Sequence, residues 1–385
     1  MPQKITAAIN AQGQLVISGE GVKFELVSVA DPPPVDPPPV DPPPVDPPPV
    51  DPPPAATSHI WVDVATLPGK PRTGRGWNNM YSMAKGNAPG PVSVADQNSM
   101  HSAWMQACAY TYAATGDTAF LAKVITGFKS LVSPSLSIGR ALALAREVQG
   151  YVAAAEGIQL AKVDADLDAV VKAKFRYFLT CPTTGGGPAT LTKSHLDRAN
   201  NWGTHATAAV LMIARYIGDK TVFDNAIKVF RGFLGDRSSY AGFKFDQPGW
   251  EEWQADPKNP VGINPKNAQI QGHNVDGALP EELRRGGGFE WPLPPTPPTY
   301  YPWEAEQGIT VSVAVALNAG VDLRPASDWA HLRSIKWLYD VAHWPAVSDD
   351  AWQPPVLNWL YPELKLDIPD GGPGKGMAWT EFTHQ

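Results

Sequence analysis

The sequence predicts a mainly α-helical protein, an (α/α) toroid or incomplete helical barrel. A small β-like N-terminal module and a polyproline spacer precede it. Three observations carry this expectation. Apolar residues recur every three or four positions in seven segments beyond residue 100. Residues 31–54 repeat DPPPV, and the first 30 residues alternate in short β-like runs broken by AQG and GEG.

The first module, residues 1–30, contains KITAAIN, QLVISG and VKFELVSV. Thirty residues bury little surface alone, so a docking or oligomerisation role fits better than catalysis. Residues 31–54 comprise four DPPPV units and a truncated fifth. Consecutive prolines fix φ and remove backbone donors, which favours extended polyproline II. At roughly 3.1 Å per residue the segment would reach on the order of 70 Å, a semi-rigid spacer.

From residue 55 to 385 the pattern is helical. The segments are 101–117, 138–158, 164–180, 205–219, 220–236, 306–320 and 328–344. Several end in Gly-Asp, a helix-stop signal. Helices of this length without heptads suit antiparallel pairs curled into a toroid, with an irregular bundle as the alternative.

Composition narrows the function classes. Hydrophobic residues make up 43% of 385, enough for a sizeable core, and the net charge is −7. An acidic chain argues against general nucleic-acid binding. Cys108 and Cys181 form no disulfide framework and fit no zinc spacing. No apolar run is long enough for a membrane span. The first residues show no apolar core of a secretory signal, so localisation is left open.

Two constellations bear on chemistry. RANNWGTHATAAVLMIARYIGD (198–219) places Asn200, Asn201, Trp202 and His205 at the mouth of an apolar helix. Asn201 and His205 are four apart and share a face. The expected buried stripe is Trp202, Ala206, Ala209, Ile213 and Ile217. A helix N-terminus offers free N–H groups and partial positive charge to an anion. A capping asparagine and a satisfied core histidine would explain the same residues. The second constellation, residues 273–307, gathers Glu281, Glu282, Arg284, Arg285, Tyr300 and Tyr301 around a Gly/Pro-rich loop, followed by WEAEQG. A third cluster, GKGMAWTEFTH, closes the chain. Loop tryptophans (Trp77, Trp250, Trp253, Trp291, Trp303, Trp352) could form sugar platforms or simply cap the core.

DGALPEELRRG resembles the DG-x-LP-x-E-x-x-RG signature of the alginate-lyase-like superfamily, (α/α) toroid polysaccharide lyases. RALALAREVQGYVAAAEGI is similar to that family's Arg-rich helix, RANNW to its Asn-containing turn, and WEAEQG and DDAWQPPVLNWLYPE to further blocks. The resemblance covers roughly residues 75–385. It implies β-elimination on a uronic-acid polysaccharide, with no metal or cofactor. Asn201 would neutralise the uronate carboxylate with help from Arg285, and Tyr300 or Tyr301 would be the catalytic tyrosine. Arg146, Trp202, Arg284, Trp303 and Glu304 would contact substrate. Trp202 follows Asn201 where the family has histidine, so the nearest histidine is His205. A long Gly/Pro stretch separates Arg285 from the tyrosines.

The elimination needs a neutralised carboxylate, a base for the C5 proton and an acid for the departing O4. Two other readings stand beside it. A glycoside hydrolase would use a carboxylate pair from Asp276, Glu281, Glu282 and Glu304. A non-catalytic carbohydrate-binding or structural protein is the third; the module-plus-spacer layout is analogous to phage tail or surface-displayed enzymes.

Overall fold

Gly-Asp pairs act as hinges between antiparallel helices. In the computed structural model Gly116 takes a left-handed conformation (φ 76°) at the end of one helix, and the Asp117 side chain accepts from the Ala119 N–H at the start of the next. Gly218 (φ 73°) and Asp219, which accepts from the Val222 N–H, do the same about a hundred residues later. The sequence reading takes Gly-Asp only as a stop. Its aspartate is equally a start, which is how the helix after residue 117 escapes notice.

The structure describes residues 6–9, 15–18, 57, 59–370 and 373–385. The chain divides into two units, Met1–Asp51 and Pro52–Gln385. In the first, β1 (Thr6–Ile9) pairs antiparallel with β2 (Leu15–Ser18), Thr6 opposite Ser18. The expected third strand over 23–30 and the spacer at 31–54 lie outside the described residues.

The second unit is an incomplete helical toroid. Its helices are α1 (Gly74–Lys85), α2 (His101–Thr115), α3 (Thr118–Leu131), α4 (Ala141–Gly157), α5 (Leu160–Val163), α6 (Ala165–Thr180), α7 (Leu191–Asp197), α8 (Asn201–Ile217), α9 (Lys220–Leu234), α10 (Pro280–Leu283), α11 (Tyr301–Asn318), α12 (Ala326–Lys336), α13 (Gln353–Leu360) and α14 (Thr380–Thr383). A short hairpin, β3 (Gln269–Ile270) with β4 (His273–Asn274), interrupts the long connection before α10. All seven expected segments are helical, with ends shifted by a few residues; the last runs from α12 into a π-helical turn, Trp337–Val341. The helices α1, α3, α7 and α13, and the short α5, α10 and α14, lie outside those segments.

An inner wall runs α2–α4–α8–α11, each packed on the next. Of these, α4 and α11 are buried nearly all round. In α11 only Tyr301 and Glu304 escape burial, and in α4 only Glu156. The expected one-sided stripe on α8 is therefore a correction. α8 packs against α4, α7, α9 and α11, so residues 203–214 are buried on every face, while Trp202 and Ile217 are only half-buried. Glycine sets the closest approach. A Cβ on Gly308 of α11 would come within 2.3 Å of the Thr204 backbone and 2.5 Å of the His205 nitrogen.

Because inner helices alternate with outer ones, they share a direction, and their N-terminal turns meet at one end of the barrel. Arg146 and His205 are in contact there, and Tyr301 opens α11 at the same end.

Candidate active site

Asn200, not Asn201, caps α8: its side-chain oxygen accepts from the Trp202 N–H at 3.1 Å. That frees Asn201, the first helical residue, to face inward at 1% exposure. The anion that satisfies the helix N-terminus is internal. The Glu282 carboxylate accepts from the Asn201 backbone N–H. Burial pushes the Glu282 carboxyl up to about 7, and Arg285 and the Asn201 N–H pull it back.

Glu282 also positions Arg285, which donates to it at 2.9 Å and to the Asn201 side-chain oxygen at 3.0 Å. With its oxygen engaged, the Asn201 carboxamide turns its NH2 outward, and among the described residues that NH2 donates to nothing. The Arg285 guanidinium lies flat over the Tyr301 ring, 3.2 Å from its centroid. Arg284 takes the other direction. It forms a two-pronged pair with Glu281 (3.1 and 2.8 Å) and a 3.3 Å bond to the Pro248 carbonyl. The choice between the two arginines is thus made by the short α10 and the 3-10 turn Arg284–Gly286, which fan them apart.

One turn further along α8, His205 is 2% exposed. Arg146 Nε donates toward its Nε2 at 3.4 Å, and Gln149 Nε2 lies 3.4 Å from its Nδ1. Burial, then the charges of Arg146 and Lys375, hold its pKa well below the ordinary histidine value. His205 is a neutral imidazole at neutral pH. Arg146, also 2% exposed, contacts Glu304 of α11. Burial lowers its pKa to about 10, opposed by Asp349, Asp350, Glu147 and Tyr301.

The remaining anticipated residues separate. Tyr300 is 62% exposed, outside the cluster that holds Tyr301. Trp303 is 2% exposed, and its indole N–H donates to the Trp344 carbonyl at 2.8 Å, so it packs the core. Trp202 turns away from Asn201 toward Gly187 and Arg140. Of the other tryptophans expected in loops, Trp77 lies in α1 and is buried, Trp253 and Trp352 are buried, and Trp250 and Trp291 are half-buried. The hydrolase carboxylates do not form a free pair: Asp276 binds Arg333, Glu281 binds Arg284, and Glu282 binds Arg285. Lys375 was missed. It reaches Glu304 at 3.8 Å and Asp349 at 2.7 Å. It lies in the closing cluster GKGMAWTEFTH, where the sequence assigns it no role.

Two larger hollows lie elsewhere on the domain. One, of about 830 Å³, is lined by Trp104, Lys123 and a run of serines; the other, of about 670 Å³, by His59, Glu156 and Arg215.

Residues 111–238 match the family model described as Alginate lyase. Over those residues the helical unit is similar to that family. The fold is similar to a solved structure of alginate lyase A1-III, a histidine-to-alanine variant complexed with a tetrasaccharide. The TM-score is 0.53 at 13% identity, covering 86% of this chain and 96% of that one. No curated protein matches the sequence. The family match spans α4 and α8, hence Arg146, Asn201 and His205, and ends before Arg285 and Tyr301. Those two residues join the cluster through tertiary contacts alone. Among the described residues, no helix is long and apolar enough to cross a membrane.

Proposed function

We propose that the helical unit is a polysaccharide lyase that cleaves a uronic-acid polymer by β-elimination. One observation carries the reading. Arg285 fixes the Asn201 carboxamide so that its NH2 is the free end, beside a neutral histidine and a tyrosine.

Asn201 and Arg285 would donate to the uronate carboxylate. Neutralising that charge makes the C5 proton more acidic and stabilises the enolate-like intermediate. The donors are already oriented, so little reorganisation opposes the step. His205, a neutral imidazole whose Nε2 faces Arg146 in the free chain, would serve as the base. Burial, and then Arg146 and Lys375, lower its basicity in the free chain. A bound polyanion would offset the two charges and so oppose the smaller part of that shift. The Tyr301 hydroxyl would protonate the departing O4. No step calls for a metal.

The test is a panel of polysaccharides read two ways. A lyase forms a double bond absorbing in the near ultraviolet together with new reducing ends. Reducing ends without that absorbance would replace this reading with hydrolysis. Neither signal on any uronate polymer would leave a binding protein.

A further inference from the structure

Glu304 sits between two cations, one facing each of its carboxylate oxygens. Its Oε2 contacts the Arg146 guanidinium, and its Oε1 lies 3.8 Å from Lys375 Nζ. We propose that Arg146 and Lys375 form a second carboxylate subsite, beside Asn201 and Arg285, which Glu304 fills in the free chain. Its ligand is the carboxylate of the uronic acid adjoining the one that reacts; this rests on the lyase reading.

The subsite is built, not incidental. Lys375 is delivered by a loop that only glycine permits. A Cβ on Gly376 (φ 93°) would lie 2.2 Å from the Arg146 carbonyl, and one on Gly374 would lie 2.1 Å from the Trp352 ring. The lysine is therefore pinned over α4 at the level of Arg146, yet 28% of its side chain remains exposed. Arg146 is almost fully desolvated, so it needs a carboxylate partner whether substrate is present or not. Glu304 is that partner, and it is one of only two residues in α11 that are not buried; Tyr301, one turn earlier, is the other. The second subsite thus lies one helical turn from the proposed acid, where the neighbouring unit of a polymer would fall. Asp349 holds the other side of Lys375 at 2.7 Å and keeps it in place when Glu304 withdraws.

In this arrangement Glu304 competes with substrate. Its removal should tighten binding, the opposite of what a substrate-contacting residue would do. The experiment measures the affinity of a 1,4-linked uronic-acid tetrasaccharide from alginate by calorimetry, in a Tyr301→Phe background that slows turnover. Steady-state kinetics of the single variants accompany it. Glu304→Gln should bind about tenfold tighter, and Lys375→Ala about tenfold weaker, with Lys375→Arg restoring most of the loss. In steady state these changes should appear chiefly in KM. Weaker or unchanged binding by Glu304→Gln, or unchanged binding by Lys375→Ala, overturns the subsite. Both shifts without double-bond formation by the wild-type chain would sink the lyase reading and leave the subsite standing. A chain that neither binds nor cleaves the tetrasaccharide refutes both.

Discussion

Arg285 donates to the side-chain oxygen of Asn201 across 84 residues of sequence, at 3.0 Å. This one bond decides which end of the Asn201 amide is free. Asn201→Ala leaves the Arg285–Glu282 pair intact, so the fold should hold while activity falls about 10²- to 10³-fold, as for loss of a donor to developing charge. Thermal unfolding and kcat measured on the same sample check this. A melting temperature that drops while activity per folded molecule stays constant would assign Asn201 a packing role.

The tyrosines should behave oppositely. Tyr301 lies under the Arg285 guanidinium and Tyr300 is 62% exposed. Tyr301→Phe is expected to lower kcat about 10²- to 10⁴-fold, the usual cost of removing a general acid. Tyr300→Phe should remain near wild type. Equal losses would show that the exposed ring also reaches substrate.

Spacing between α8 and α11 sets the distance from His205 to Tyr301. Gly308→Ala would force a methyl into the Thr204–His205 backbone. Overpacking of this kind costs about 1–3 kcal/mol. Stability and kcat should fall together in this variant, although Gly308 touches no substrate in the proposed mechanism. Unchanged kcat in the folded variant would separate the helix spacing from the chemistry.

Glu147 gives a pH signature. Burial raises its pKa from 4.5 to about 8, with Ser102 and Arg146 opposing and Asp96 adding to the rise. A raised folded-state value means that its stabilising contribution is complete below the unfolded value and is lost as pH rises through about 8. Glu147→Gln removes the titration. The variant should therefore gain melting temperature relative to wild type on going from pH ~5 to pH ~9. A gain that shrinks over that range would mean the carboxylate is stabilised in its charged form.

The N-terminal boundary can be cut at two places with different results. The Glu156 carboxylate accepts from the backbone N–H groups of Ile60, Trp61 and Val62, and Arg215 donates to the Thr57 and His59 carbonyls. Removing residues 1–54 should leave the melting temperature of the helical unit and its turnover of short substrates unchanged. Removing 1–62 leaves three donors' worth of buried carboxylate unsatisfied and should destabilise the unit measurably. Equal melting temperatures for the two truncations would show that Glu156 does not anchor this segment.

What the sequence determined by itself was local. Apolar spacing fixed the seven long helices, because a buried helix face repeats every 3.6 residues whatever it packs against. The i,i+4 relation of Asn201 and His205 was legible for the same reason. The signature DGALPEELRRG pointed to a toroid and to an arginine near the site. Gly-Asp marked helix ends but concealed the helix that each aspartate starts. The tertiary structure alone decided the choices between neighbours. The signature favours Arg285 over Arg284, but it is the tight turn at 284–286 that sends Arg284 to Glu281 and Arg285 to Asn201. Tyr300 and Tyr301 are adjacent, and the start of α11 leaves one in solvent and one under a guanidinium. Trp303 looked like a sugar platform until its indole N–H found a buried carbonyl. Lys375 falls in the cluster GKGMAWTEFTH, but its role comes from where its loop lands on α4. Short-range periodicity is a property of one segment, whereas charge partners and desolvation arise only when distant segments share a space.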